Sequence, residues 1–111
     1  SARTASGGAA GARGPAAPPT LVCWGVRGSI PVPGAHTARW GGNTSCAELR
    51  TADGRRLVLD AGTGIRALGE ALVADGARPP GVDVVMTHAH ADHVQGLAFF
   101  APLGLPGVPV T

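Results

Sequence analysis

The sequence predicts an α/β fold, in which strands and helices alternate along the chain. Two short apolar runs, residues 57–59 and 82–86, have the composition of strands buried inside a sheet. Between them, the apolar residues of segment 65–74 recur at the spacing of one helix face. A strand, a helix and a second strand in succession indicate helices layered on a sheet.

The first part of the chain is predicted to contain a tail and two more strands. Residues 1–20 are mainly alanine, glycine, proline and serine without a period, so we expect them to be disordered. A chain of 111 residues forms one domain, which we expect over residues 21–111. Strands are predicted at residues 21–26, 46–50 and 57–60. The sequence Asp53-Gly54 between the last two predicts a hairpin.

Two loops rich in turn-forming residues carry candidate substrate contacts. Arg27 begins the loop 27–34, where its guanidinium group would bind either a backbone carbonyl or an anionic substrate. Asn43 lies in the loop 41–45, where it would either bond its own turn or place its amide near the substrate. The residue types leave both alternatives open at each position.

Polar residues also follow the buried strands. Asp60 ends the run 57–59 and precedes a glycine-rich turn, and we expect it to bond backbone amides or a metal-ligating histidine. After the second run, the segment 94–100 has a helix pattern that Pro102 would end. Asp92 is a candidate cap for that helix.

Composition narrows the class of function. The net charge of +2 is too small to indicate nucleic-acid binding by itself, although it leaves a nucleic-acid substrate open. No apolar run reaches membrane-spanning length and no secretory signal is visible, so we expect a cytoplasmic protein without a membrane partner. Cys23 and Cys46 lack the spacing of a zinc or redox motif, and we expect free thiols.

The segment 87–93 holds three of the four histidines. On an extended segment, residues two apart point the same way, so His88 and His90 can reach one metal ion together. Asp92 and His93 come after the chain has turned and can face a neighbouring position. Imidazole nitrogen and carboxylate oxygen suit zinc, manganese or iron better than calcium or magnesium. The spacing therefore predicts a metal site at this strand end.

This motif resembles that of the metallo-β-lactamase-fold hydrolase superfamily, in which His-x-His-x-Asp-His follows an apolar strand. Residues 92–97, Asp-His-Val-Gln-Gly-Leu, resemble the form found on the phosphodiesterase and ribonuclease Z side of the superfamily. Residues 27–31, 41–46 and 59–65 are similar to a bacterial subgroup of metallo-hydrolases. The resemblance extends from about residue 21 to the end of the sequence.

The resemblance implies a fold, a cofactor and a reaction. The fold would be the N-terminal half of an αββα sandwich, with a mixed sheet and flanking helices. The cofactor would be two divalent metal ions, zinc foremost and manganese or iron as alternatives. His88 and His90 would hold the first ion, and Asp92 and His93 the second. Asp92 would also orient a metal-bridged hydroxide that cleaves a phosphodiester, of cyclic-nucleotide, RNA or other small-molecule type, while Asp60 would lie near the metals without being a ligand.

The superfamily completes its metal site with residues further along the chain than this motif. No histidine follows His93 in the sequence. We therefore expect the 111 residues to be the N-terminal half of a metallo-hydrolase, inactive alone, whose full-length parent could form a homodimer. The alternative is a short metal-binding or interaction module without activity of its own.

Overall fold

A computed structural model of the chain describes residues 3–6, 18–76 and 81–111, and it contains a mixed five-stranded sheet. The strands are β1 (Arg3–Ser6), β2 (Thr20–Gly25), β3 (Cys46–Arg50), β4 (Arg56–Leu59) and β5 (Val82–Val85). They lie in chain order, with the first three pairings antiparallel and the pairing of β4 with β5 parallel. The α/β class is confirmed, whereas the second half of a sandwich stays a prediction.

The predicted hairpin between β3 and β4 is confirmed. Arg50 pairs with Arg56 across the hairpin, and the Thr51 N–H donates to the Arg55 carbonyl oxygen at 2.9 Å. Gly54 has φ 87°, a left-handed conformation that glycine adopts without a steric penalty. Backbone geometry therefore explains why a glycine stands at this turn.

The structure differs from the predicted disorder of residues 1–20 near both ends of that segment, where it has strand residues. Arg3–Ser6 pairs antiparallel with β2, whose first residue is Thr20. An edge strand of this kind is held by backbone hydrogen bonds, which do not require the apolar pattern that the sequence lacks. Residues 1–2 and 7–17 lie outside the described residues, so the prediction for them stays a prediction.

The long helix α1 (Gly64–Ala74) connects the two parallel strands β4 and β5, as the apolar spacing predicts. Its side chains Ile65, Leu68 and Leu72 are fully buried and form one cluster with residues of the sheet. Val58 of β4 is also fully buried in that cluster. The core therefore lies between α1 and one face of the sheet.

The other face of the sheet corrects a prediction. The apolar runs 57–59 and 82–86 are predicted to be buried on both sides, yet Leu57 and Leu59 are only half-buried and Val85 is 46% exposed. The physical reason is that α1 covers the face that carries Val58, and Leu57, Leu59 and Val85 are not part of the buried cluster that forms there.

The helix predicted over 94–100 is also corrected. The chain instead forms the short helix α2 (Ala91–Val94) and then a 3-10 turn at Leu97–Phe99. Helical bonding stops because the Gly96 N–H donates to the Ala61 carbonyl oxygen at 2.9 Å, outside the helix. None of the described helices has the length and apolar character needed to cross a membrane.

Both cysteines are free thiols, as predicted. Cys46 is buried in the core beneath α1. Burial, together with the charges of Glu48 and Asp60, raises the pKa of the Cys46 thiol to about 12. Because the thiolate is the reactive form, Cys46 is inert at neutral pH.

Candidate metal centre

The candidate site lies where the parallel strands β4 and β5 end. Asp60 follows β4 directly, and its N–H donates to the carbonyl oxygen of Val85, the last residue of β5. Thr87 and the three clustered histidines follow β5. The carboxyl ends of parallel strands meet at one edge of a sheet, which is where α/β proteins place their sites.

Asp60 is the most connected side chain of this region and is only 5% exposed. It accepts hydrogen bonds from the Thr87 N–H at 2.8 Å and the Thr87 hydroxyl at 2.9 Å, and His93 Nδ1 lies 2.9 Å from its Oδ2. Burial alone would raise the pKa of Asp60. The hydrogen bonds from Thr87 and His93 outweigh it and hold the pKa below its ordinary value. Asp60 is therefore an ionised acceptor at neutral pH.

The hydrogen bonds of Asp60 and Thr87 determine which ring nitrogen carries a proton in two of the histidines. An ionised carboxylate can only accept, so His93 carries its proton on Nδ1. The Thr87 hydroxyl gives its one proton to Asp60, and so its oxygen accepts from His88 Nδ1, 2.9 Å away. In both rings Nδ1 is thus engaged by this network, and Nε2 is the nitrogen that remains to bind a metal. Asp60 thus orients His93 directly and His88 through Thr87.

The three histidine rings lie against one another. The centroid of His88 is 4.6 Å from that of His90, in an edge contact, and 4.1 Å from that of His93. His88 and His90 are exposed, whereas His93 is partly buried. The rings that the spacing predicts to act together are therefore neighbours in space.

Asp92 lies beside this cluster and is partly buried. Its Oδ2 accepts a hydrogen bond from the Ser29 N–H at 3.1 Å and lies 3.4 Å from His93 Nε2. The Ser29 hydrogen bond, aided by the nearby His93, holds the pKa of Asp92 below its ordinary value. The predicted capping role is wrong: His90 occupies the N-cap position of α2, Asp92 lies inside the helix, and no side chain caps it.

The comparison with known families matches this half of the molecule. The model of a beta-lactamase superfamily domain matches residues 55–111, just over half of the chain, which include Asp60 and the histidine cluster. The chain belongs to the beta-lactamase superfamily. No curated protein and no solved structure matches it significantly.

Members of this superfamily commonly bind divalent metals, and the donor types present here fit such an ion. Three imidazoles and a carboxylate lie within one short segment, and two imidazoles are held with Nε2 free. Within residues 3–6, 18–76 and 81–111, however, no three His, Cys, Asp or Glu side chains are arranged to hold a metal ion. The donors fit in kind, while their final arrangement requires side-chain rotation, which the exposed His88 and His90 permit.

Residues with a strained backbone lie at the candidate metal centre. Among the described residues, the non-glycine positions with positive φ are Ser29 at 71° and Asp60 at 64°. Such conformations cost energy and persist where the surroundings hold them, often at functional sites. Here one places an amide on Asp92 and the other turns a carboxylate toward Thr87 and His93.

Main-chain contacts dock the cluster onto the glycine-rich turn after β4. The Ala61 N–H donates to the His93 carbonyl oxygen at 2.7 Å. A Cβ atom on Gly62 would lie 2.4 Å from the Asp92 carbonyl oxygen, and one on Gly96 would lie 2.2 Å from the Gly62 carbonyl oxygen. Only glycine therefore allows these two segments to approach this closely.

The remaining predicted residues lie beside this centre. Arg27 donates from Nε to the Ile30 carbonyl oxygen at 3.0 Å, which is the backbone contact that its loop position suggested. The Asn43 side chain accepts from the Thr63 hydroxyl at 3.2 Å and so bonds another loop, not its own backbone. Neither contact reaches the histidine rings.

Two functional residues were missed by sequence reasoning. Thr87 links Asp60 to His88, and Ser29 presents its N–H to Asp92. Thr87 stands directly before His88 and could have been found from its hydroxyl at the strand end. Ser29 acts through its backbone, which carries no side-chain signal.

Proposed function

We propose that this chain carries the metal-binding part of a metal-dependent hydrolase that cleaves phosphodiesters. His88, His90, Asp92 and His93 would hold the divalent ions, two of them in the complete enzyme, with zinc foremost. The observation that supports the proposal is the Asp60 network, because it leaves Nε2 of both His88 and His93 free for a metal. Carboxylates that orient metal-ligating histidines in this way are typical of metal sites.

The chain's own residues have separable tasks in this proposal. Asp60 keeps two imidazoles in the ligating tautomer. Asp92, whose pKa the Ser29 amide holds below its ordinary value, would accept a hydrogen bond from the attacking water and orient it toward the phosphorus. A bound divalent metal supplies Lewis acidity and a lowered pKa of water.

The choice of phosphodiesters rests on a resemblance in sequence. Residues 92–97 have the Asp-His-x-x-Gly-Leu form of the phosphodiesterase and ribonuclease Z side. The packing of Gly96 against the Gly62 carbonyl oxygen provides a structural reason for the glycine of this form. The substrate would then be a nucleotide or another small phosphodiester.

Metal content and turnover test the proposal together. We would load the chain with zinc or manganese and compare it with its His90→Ala and Asp92→Ala variants. His36→Ala, which removes the histidine outside the cluster, is the matched control. Both cluster variants should lose metal and the control should not. Unchanged metal content in the cluster variants would contradict the assignment.

The reaction class is tested by substrate comparison. Bis(p-nitrophenyl) phosphate, a cyclic nucleotide, S-lactoylglutathione and a chromogenic β-lactam would be offered to the metal-loaded full-length protein. Turnover of the first two above the last two is expected. A preference for the thioester or the lactam would overturn the phosphodiester assignment.

A second candidate is a metal-binding or interaction module without activity. Stoichiometric metal binding through the cluster, with no turnover of any of the four substrates, would select this alternative.

A further inference from the structure

A cavity of about 580 Å³ lies next to the metal centre and is not part of it. Its volume is that of a site for a small organic ligand. Its apolar walls include Pro31, Pro33 and Phe99, and its polar groups include Asn43, Thr63 and Arg66. No histidine lines it.

The cavity shares two segments with the metal centre. Pro31 is two residues from Ser29, whose N–H donates to Asp92. On the other wall, Gly96 is three residues from His93. Gly96 also packs against Gly62, which packs against the Asp92 backbone, so this wall of the cavity is joined to the segment that carries the metal centre.

The aromatic wall of the cavity is not used for packing. Phe99 is 68% exposed, whereas its neighbour Phe100 is 2% exposed in the core. An exposed phenyl ring that lines the same cavity as two proline rings provides a surface on which a planar ring can stack. Stacking of this kind accepts any flat heteroaromatic group.

The polar wall offers a free amide donor. The Thr63 hydroxyl oxygen accepts from the Thr44 N–H at 2.9 Å, so its proton goes to Asn43 Oδ1 at 3.2 Å. This hydrogen bond identifies which end of the Asn43 amide is the oxygen and which is the nitrogen. Within the described part of the chain, the Nδ2 group has no hydrogen-bond acceptor. Asparagine amides commonly read the hydrogen-bonding edge of a base.

The cavity is also lined by a cationic side chain, Arg66, that can exchange its present partner for a ligand. Arg66 pairs with Glu70 at 2.6 Å, and both side chains are at least 60% exposed. Exposed ion pairs contribute little and are readily exchanged for a better partner. A phosphate group is such a partner for a guanidinium group.

We propose that this cavity binds a nucleotide. Its base stacks between Phe99 and the prolines and bonds the Asn43 amide, and its phosphate pairs with Arg66. That this nucleotide forms part of the substrate rests on the phosphodiesterase function proposed above. The binding itself requires only the cavity and no metal.

The test is calorimetric titration of the chain with adenosine 5′-monophosphate in the presence of EDTA. Ribose 5-phosphate and adenosine are titrated in parallel, because they lack the base and the phosphate. We expect the monophosphate to bind more tightly than either. Equal affinity for ribose 5-phosphate would overturn the role of the base, and absence of binding would overturn the proposal.

Variants locate the binding. Phe99→Ala should weaken it about tenfold, the size expected for loss of one stacked base. Phe99→Leu, which keeps an apolar side chain without an aromatic ring, should weaken it to a similar extent. Trp40→Ala removes another exposed aromatic ring, from outside this cavity, and should leave affinity unchanged. Wild-type affinity in both Phe99 variants would contradict the proposal.

The cation is tested by a matched pair of arginines. Arg66→Gln should weaken binding several-fold at low salt and less at high salt, because screening reduces the ion pair. Arg55→Gln is the control, since Arg55 also forms an exposed ion pair, with Asp83 at 3.4 Å, outside the cavity. Equal losses in both variants would contradict a phosphate at Arg66.

The two proposals can fail separately. Turnover of bis(p-nitrophenyl) phosphate without nucleotide binding would remove the nucleotide site and leave the phosphodiesterase function. Nucleotide binding that depends on Phe99, without any phosphodiester turnover, would keep the site and remove its link to catalysis.

Discussion

Glu48 and Asp60 are both buried carboxylates of the central sheet region, 0% and 5% exposed, but their partners differ in kind. Glu48 is paired with two guanidinium groups, from Arg56 at 2.9 Å and Arg50 at 3.1 Å, and accepts from the Trp24 indole at 3.1 Å. All three partners are permanent donors. This arrangement neutralises the carboxylate and leaves nothing for a ligand.

Asp60 has no guanidinium partner among the described residues. Its contacts are the amide and hydroxyl of Thr87 and the ring of His93, and through Thr87 it reaches His88. The contacts with the Thr87 hydroxyl and with the His93 ring fix where those two groups carry their protons. The comparison teaches that burial alone does not identify a functional carboxylate. A functional carboxylate is identified by partners that can still bind a ligand.

The first prediction concerns Glu48→Gln, for which we expect the largest effect. Removing the charge leaves Arg50 and Arg56 with a neutral partner, and breaking a buried ion pair typically costs about 3 kcal/mol or more. We expect a loss of about 3 kcal/mol, since both arginines retain some exposure. Urea unfolding followed by circular dichroism measures it. Unchanged stability would remove the structural role assigned to Glu48.

Asp60→Asn is the matched change at the other carboxylate. It should lower metal affinity about 10- to 100-fold, the usual cost of losing a group that orients ligands. Glu48→Gln should leave metal affinity per folded molecule unchanged. Competition with a chromophoric chelator measures both. Equal losses in the two variants would show that the carboxylates are not functionally distinct.

The sequence predicts the functional role of one of these carboxylates but not the burial of the other. The strand end at Asp60 and the spacing of His88, His90 and His93 are local, so an apolar run followed by polar residues predicts them. Glu48 is different, because one acidic residue in strand β3 indicates an exposed position. Its burial depends on Arg56 of the neighbouring strand, which only the sheet register brings near.

Other features depend on contacts between distant parts of the chain. The early end of α2 follows from a hydrogen bond between Gly96 and Ala61. Helix propensities describe only local preferences and cannot predict this contact. The Ser29 amide reaches Asp92 across 63 residues and requires a left-handed backbone at Ser29. Such contacts have no local pattern, so sequence reasoning could not have found them.

The third prediction uses pH and has the smallest expected effect. The pKa of Asp60 is below its ordinary value in the folded chain, so its contribution to stability is fully present above the ordinary aspartate pKa of about 3.9. It is lost as the pH falls through the lower, folded-state pKa. Acid unfolding should therefore be less steep in Asp60→Asn than in the wild type. Superimposable acid transitions would contradict the lowered pKa.

The most direct measurement of the central claim is the proton position on the histidines. Nitrogen-15 NMR of the metal-free chain at neutral pH distinguishes a protonated Nδ1 from a protonated Nε2. We predict that His93 and His88 carry their proton on Nδ1 in the wild type, and that Asp60→Asn shifts both rings toward a mixture of tautomers while Glu48→Gln shifts neither. A wild-type spectrum with Nε2 protonated on His93 would contradict the account.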